Sequence, residues 1–201
     1  MRLIDGAEAI RGDLPSSATV SVEVPIEAGE SLETGVNRLS SLSIIREHQL
    51  AALRAATGPV ITIGGGCTVE LAAIEHAAAD GDVCVLWIDA HPDLNAADGS
   101  PSGSFDGMVL RSLLGEGIPQ LASTTPLAPN RVVILGARSI DDAEQTVIDE
   151  HSIRMLSVDD WTPANVIEAV TASGASRVYI HVDLDVLDPA DIAGTSWAEP
   201  F

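Results

Sequence analysis

The sequence contains no lysine; all ten of its basic residues are arginine. Without a lysine amine, Schiff-base chemistry and a P-loop phosphate site are both excluded. Aromatic residues are scarce, at 3%, so a core has to be built from Val, Ile, Leu and Ala. Only two cysteines occur, Cys67 and Cys84, too few for a disulfide framework in 201 residues. That count points to a reducing, cytoplasmic setting. The N-terminus lacks a basic stretch followed by an apolar one, so no signal peptide is expected. The apolar runs are too short to cross a bilayer.

What is abundant is acid. Thirty Asp and Glu against ten Arg give a net charge of −20. A surface this acidic disfavours nucleic acid and anionic membranes as partners, and it does not repel a cationic small molecule. The same charge also fits a general bias towards solubility or salt tolerance. Apolar residues make up 46% of the chain, which argues against disorder, and the length suits one α/β domain.

Hydrophobic periodicity divides the chain into alternating strands and helices. Val20, Val22 and Val24 alternate with polar residues and read as a strand. Helical spacing follows over Arg38 to Ala56, then a short β-branched run from Pro59 to Ile63 that ends in Gly64-Gly65-Gly66. Thr68 to Ala79 reads as a helix, and Val83 to Ile88 as a strand buried on both faces. After the polar loop Pro92 to Ser104 come a helix over Met108 to Leu114 and a second loop, Ile118 to Asn130. Strands at Arg131 to Gly136, Ile153 to Val158 and Arg177 to Leu184 alternate with helices at Asp141 to Glu150 and Pro163 to Ser173. This alternation implies an α/β fold with a parallel sheet and right-handed crossovers. No internal repeat or domain linker interrupts it. The last strand reads as buried, yet the chain stops soon after it, at Phe201. The expectation is therefore one domain over residues 1–201 that is incomplete at its C-terminus and at its N-terminus.

Two strand ends carry the chemistry. Asp89, His91 and Asp93 follow the apolar run at Val83 to Ile88 with i, i+2, i+4 spacing, which places them on one side of an extended chain. Parallel sheets bind ligands beyond the carboxyl ends of their strands. A polar strand exit with a helix cap would explain this cluster equally well by itself. The second cluster decides: His181, Asp183 and Asp185 repeat the spacing at the end of another apolar strand. Adjacent carboxylates at a buried strand end repel one another unless a cation sits between them. Carboxylates from two strand ends suggest two metals, and oxygen ligands with one imidazole favour Mn²⁺. Two ions about 3.5–4 Å apart can share a water and turn it into a nucleophile. For His181, packing or support of a ligand is the expected role. His48, His76 and His151 read as surface or helix-end residues, and Cys84 as core.

These motifs together resemble the ureohydrolase family of arginases, agmatinases and formimidoylglutamases. Residues 89–95, DAHPDLN, match that family's DAHxDxN, and residues 181–189, HVDLDVLDP, are similar to its SxDxDxxDP. Gly64 to Thr68 stands in the place of GGDHS, Ser102 to Met108 resembles SGNxHGM, and Gly136 to Asp141 looks like G-x-R-x-x-D. The resemblance implies a three-layer α/β/α fold and two Mn²⁺ per chain. It implies metal ligation by Cys67, Asp89, His91, Asp93, Asp183 and Asp185, with Asp89 and Asp183 shared by both ions. It gives Asp93 a proton-transfer role and Asn95, Ser102 and Asp141 the binding of an amino-acid-like tail. The implied reaction is attack of a bridging hydroxide on a guanidino or amidino carbon, which releases urea or a related product. Trimers or hexamers are implied as well.

The departures from the pattern are specific. Cys67 replaces the family's histidine, which would shift that site towards Zn²⁺ or Fe²⁺ if the thiolate ligates. Asp106 replaces the histidine of SGNxHGM; it is read either as a catalytic proton-transfer group or as a cap on the following helix. Two other readings compete with a hydrolase. One is a metal-defective relative kept for assembly or ligand binding. The other is a mononuclear zinc deacetylase on a related fold, in which the Asp183/Asp185 pair with Asp93 has no purpose.

Overall fold

The computed structural model describes residues 3–192. Four parallel strands form one sheet in the order β3-β2-β1-β4: β1 is Cys84–Ile88, β2 Val132–Leu135, β3 Arg154–Leu156 and β4 Val178–Val182. The helices are α1 (Leu3–Asp13), α2 (Leu39–Ala55), α3 (Glu70–Ala77), α4 (Val109–Leu113), α5 (Asp142–His151) and α6 (Pro163–Ser173). Helix α1 was not anticipated from the sequence.

Alternation along β1 explains the layers. Val85 and Trp87 point to one face, where they join Leu39 of α2, Leu71 and Ile74 of α3, Leu110 of α4 and Val147 of α5 in the main core. Cys84 and Leu86 point to the other, against Ala169 and Val166 of α6. The result is the expected three-layer α/β/α arrangement. The chain leaves β1 for β2 and β3 on one side, then returns by way of α6 to β4 on the other. Right-handed crossovers in opposite directions put their helices on opposite faces, so α5 and α6 flank the sheet from two sides. The order reverses between β1 and β4, which makes the gap beyond their carboxyl ends the topological switch point.

Local sequence sets the helix limits. Asp141 caps α5 in a capping box, with the Glu144 side chain accepting from the Asp141 backbone N–H. Thr162 caps α6, Pro163 occupies its first turn, and Gly174 ends it in a left-handed conformation at φ +72°.

Three expectations fail. The alternating valines 20–24 and the Pro59–Ile63 run are extended but join no ladder among the described residues. Val20 is 74% exposed and Ile61 86% exposed, so their β-branched side chains have no neighbouring strand to pack on. Strand β4, expected to be buried, is an edge strand whose Val178, Ile180 and Val182 face outward and are exposed. Its inward-facing residues, Tyr179 and His181, pack towards the helices of the main core.

Candidate metal centre

Register brings the two acidic strand ends together. Trp87 pairs with His181 and Ile88 with Val182, so Asp89 and Asp183 emerge side by side; the Asp183 N–H donates to the Ile88 carbonyl at 2.8 Å. The loop before α3 adds Cys67 from a third direction. Its thiol lies 3.5 Å from Asp89 Oδ2, 3.3 Å from Asp183 Oδ2 and 3.9 Å from His181 Nε2. On the other side of Asp89, His91 Nδ1 stands 3.4 Å from Asp89 Oδ1 and 3.2 Å from Asp185 Oδ2. Asp89 is therefore common to two donor groups, Cys67–Asp89–His181 and Asp89–His91–Asp185. Asp93 is buried beside them in a left-handed conformation, φ +51°, unusual for a non-glycine residue, and its Oδ2 has no hydrogen-bond partner.

The electrostatics of the metal-free cluster fit a cation site. Burial opposes ionisation of Asp89, but hydrogen bonds from His181 and His91 outweigh it and hold the carboxyl below the usual range. Asp185 and Asp89 push His91 up to about 11 against its own burial. His181 is pushed up to about 9: burial opposes its charge, while Asp89 and Glu70 more than offset it. Burial and then the Asp89 charge drive Asp93 well above its ordinary value. Burial is also the main cause of the upward shifts of Asp183 and of the Cys67 thiol. The clustered carboxylates favour positive charge among them, which a divalent cation would supply. The donor set, with the orphaned buried Asp93 Oδ2 beside it, thus fits a metal.

The profile of the Arginase family matches residues 6–201. The chain belongs to the arginase family. It is 34% identical over 191 residues to the arginase of Bacillus caldovelox, an alignment covering 86% of this chain and 64% of that protein. The structure of Entamoeba histolytica arginase in complex with L-ornithine superposes with a TM-score of 0.82 at 27% identity, covering 90% of this chain and 66% of the other. Native Bacillus caldovelox arginase gives 0.76 at 28% identity, over 99% and 71%. The chain thus spans a little under two thirds of the curated arginases it matches.

Other arginase-family positions fall around this centre. Asn95 Nδ2 donates to Asp141 Oδ2 at 3.0 Å, so two of the three expected substrate-binding residues meet. Ser102 instead accepts from the Ser104 N–H within its own loop, and Asn37 Nδ2 donates to its carbonyl. A cavity of about 420 Å³ opens beside Asn95 and is lined also by Gly35, Asp98, Met108 and Ile118; the metal-site acids do not line it. Arg138, in the Gly136–Asp141 motif, donates to the carbonyls of Asp185 and Val186 and so fixes the turn that presents Asp185.

Asp106 does not cap the helix that follows it. Its Oδ1 accepts from the Thr68 N–H at 3.0 Å and the Thr68 hydroxyl at 2.6 Å, and its Oδ2 accepts from Ser104 Oγ. It therefore staples the Cys67 turn to the Ser102–Met108 loop. Gly66 leaves room for this contact, because a Cβ at that position would lie 2.8 Å from Asp106 Oδ1 and the carboxylate would have to shift. Asp106→Ala should cost about 1–3 kcal/mol, the usual cost of leaving hydrogen-bonded partners unsatisfied. Asp106→Asn, which keeps an acceptor for Thr68, should cost less than half of that; urea unfolding of the metal-free protein would measure both. Equal losses in the two variants would contradict the staple.

Sequence reasoning gave His181 only a supporting or packing role, and it missed Glu70 and Tyr179 altogether. The parity of His181 with Asp183 and Asp185 was visible. The Glu70 and Tyr179 contacts were not, because they join α3 to β4 across more than a hundred residues.

Proposed function

We propose that this chain carries the centre of a metal-dependent hydrolase that cleaves a C–N bond of a linear guanidine or amidine and releases urea or a related product. The observation that carries this reading is Asp89, whose two oxygens serve separate donor groups at the switch point. Two divalent cations bound there would act as paired Lewis acids and make a water nucleophilic near neutral pH. Mn²⁺ suits the His91–Asp185 side, which is mainly oxygen, and Zn²⁺ or Fe²⁺ suits the side with Cys67.

The chain's own residues have distinct tasks. Asp89 and Asp183 would hold both ions, and Asp93 would complete the Cys67 side. Asp93 would also accept a proton and return it to the leaving amine. The surrounding negative charge draws in and orients a guanidinium cation. Asn95 and Asp141 hold the polar tail of the substrate, with Ser102 on the neighbouring loop. L-Ornithine, an amino acid, in the Entamoeba structure supports a tail of that kind. Asp106 serves the reaction by holding the Cys67 turn. A trimer or hexamer is part of the proposal by family resemblance.

Urea release from a panel of guanidino compounds, with and without Mn²⁺, tests the reading. Release of urea from at least one compound, abolished by EDTA and restored by Mn²⁺ or Zn²⁺, is expected. Metal binding without turnover on any guanidine or formimidoyl compound would instead favour a binding protein built on the same centre.

A further inference from the structure

The buried imidazole on β4 has a geometry that a packing role does not explain. His181 is 4% exposed, and its ring is held on three sides. Trp87, its register partner on β1, stacks against it with centroids 4.0 Å apart at 34°. Glu70 Oε1 stands 3.5 Å behind Nδ1, and the Tyr179 hydroxyl fixes Glu70 by donating to its Oε2 at 2.5 Å. The third side, Nε2, faces Asp89 Oδ2 at 3.5 Å and Cys67 Sγ at 3.9 Å.

Those last distances are long for hydrogen bonds. They are close to the separations expected between ligands of one metal ion. Ligand atoms about 2.0–2.3 Å from a shared tetrahedral ion lie about 3.3–3.8 Å from one another. Asp89 Oδ2 stands 3.5 Å from both Cys67 Sγ and His181 Nε2, within that range; Sγ and Nε2 are 3.9 Å apart, slightly above it, and Asp183 Oδ2 lies 3.3 Å from the same sulfur. A carboxylate behind the distal nitrogen is the usual support of a ligating histidine, since it sets the tautomer and the ring orientation.

We propose that His181 is a ligand of the first metal, alongside Cys67, Asp89, Asp183 and Asp93, and that Glu70 and Tyr179 are its positioning residues. The proposal rests on the metal-centre reading above and deepens it. Relative to the family's patterns, imidazole has been lost at position 67 and gained at position 181, where the pattern has serine. The nitrogen ligand has moved from the loop before α3 to the neighbouring strand, and a thiolate has taken its place. The first site becomes a sulfur–nitrogen–carboxylate set that selects Zn²⁺, Co²⁺ or Fe²⁺, while the second remains a site for Mn²⁺.

The test needs no turnover. Wild-type protein is loaded with Co²⁺, and metal per chain, the thiolate-to-cobalt charge-transfer band and the number of imidazoles per metal by X-ray absorption are measured. Two metals, a thiolate band and an average of one imidazole per metal are expected, from His91 and His181. Half an imidazole per metal would overturn the proposal and leave the dinuclear reading intact. Binding of no metal by folded wild-type protein would overturn both. In His181→Asn, one metal per chain and loss of the thiolate band are expected; two metals with an unchanged band would refute the assignment. Glu70→Gln should weaken the first site by about 10–100-fold and leave the second unaltered, as removal of a ligand's carboxylate support does. An unchanged first-site affinity in Glu70→Gln would overturn the positioning role.

Discussion

Asp89→Asn should abolish binding of both metals at once, although it changes a single atom. Each carboxylate oxygen faces a different donor group, so neither site survives conversion to a carboxamide. A ligand at 100 times its Kd stabilises the folded state by about 2.7 kcal/mol. In a domain of this size each kcal/mol shifts Tm by about 2–4 °C. Wild-type protein saturated with Mn²⁺ or Zn²⁺ should therefore melt roughly 5–10 °C above its EDTA-treated form, and Asp89→Asn should show no such rise. The metal-free variant should also be less stable than metal-free wild type by about 1.5–3 kcal/mol. His91 and His181 lose the anion that holds their charge, and hydrogen bonds to charged groups contribute about that much. Elemental analysis decides the first part and thermal melts the second. Two metals retained by Asp89→Asn would mean that the two donor groups do not share this carboxylate.

The metal-free protein should lose stability as pH rises from about 6.5 to 9, and bound metal should reverse the trend. His181 and His91 carry folded-state values raised to about 9 and about 11 by neighbouring carboxylates. Their unfolded values lie near 6.5. Below that pH both states are protonated and the stabilisation is complete. Above it the unfolded chain releases protons that the folded chain keeps holding, and the benefit fades until the folded imidazoles titrate. Asp93 acts in the same direction, because its raised folded value means that the folded chain holds a proton the unfolded chain has released above about pH 4. Asp89, held low, adds stability that is lost only as pH falls below the ordinary carboxylate range. A fall in Tm of roughly 5 °C or more across pH 6.5–9 in EDTA is expected, given about 2–4 °C per kcal/mol. Metal needs the imidazoles neutral and the acids ionised, so the rise in Tm on adding Zn²⁺ should grow over the same interval. A flat profile in EDTA would show that these groups are not protonated in the folded, metal-free protein.

The sequence by itself determined the α/β class, four of the strands, five of the helices and the two acidic strand ends. Each of those is a local pattern: unbroken apolar runs for β1 and β2, helical spacing in α2, a capping box at α5, and acids two residues apart after a strand. Tertiary structure decided everything that needs a neighbour. Val20 to Val24 and Pro59 to Ile63 have strand composition, yet a strand exists only where another backbone pairs with it. The burial of β4 could not be read from its own residues, because an edge strand and a central one can share the same apolar alternation. Asp106 sits at the start of a helix in the sequence but bonds to Thr68, which only the approach of two loops allows. His181 shows the limit most plainly. Its spacing placed it on the same side as Asp183 and Asp185, but spacing carries no information about the far side of the ring. That side is formed by α3 and the Cys67 turn, brought there by the packing of the main core, and it is what sets a strand histidine against Cys67 and Glu70.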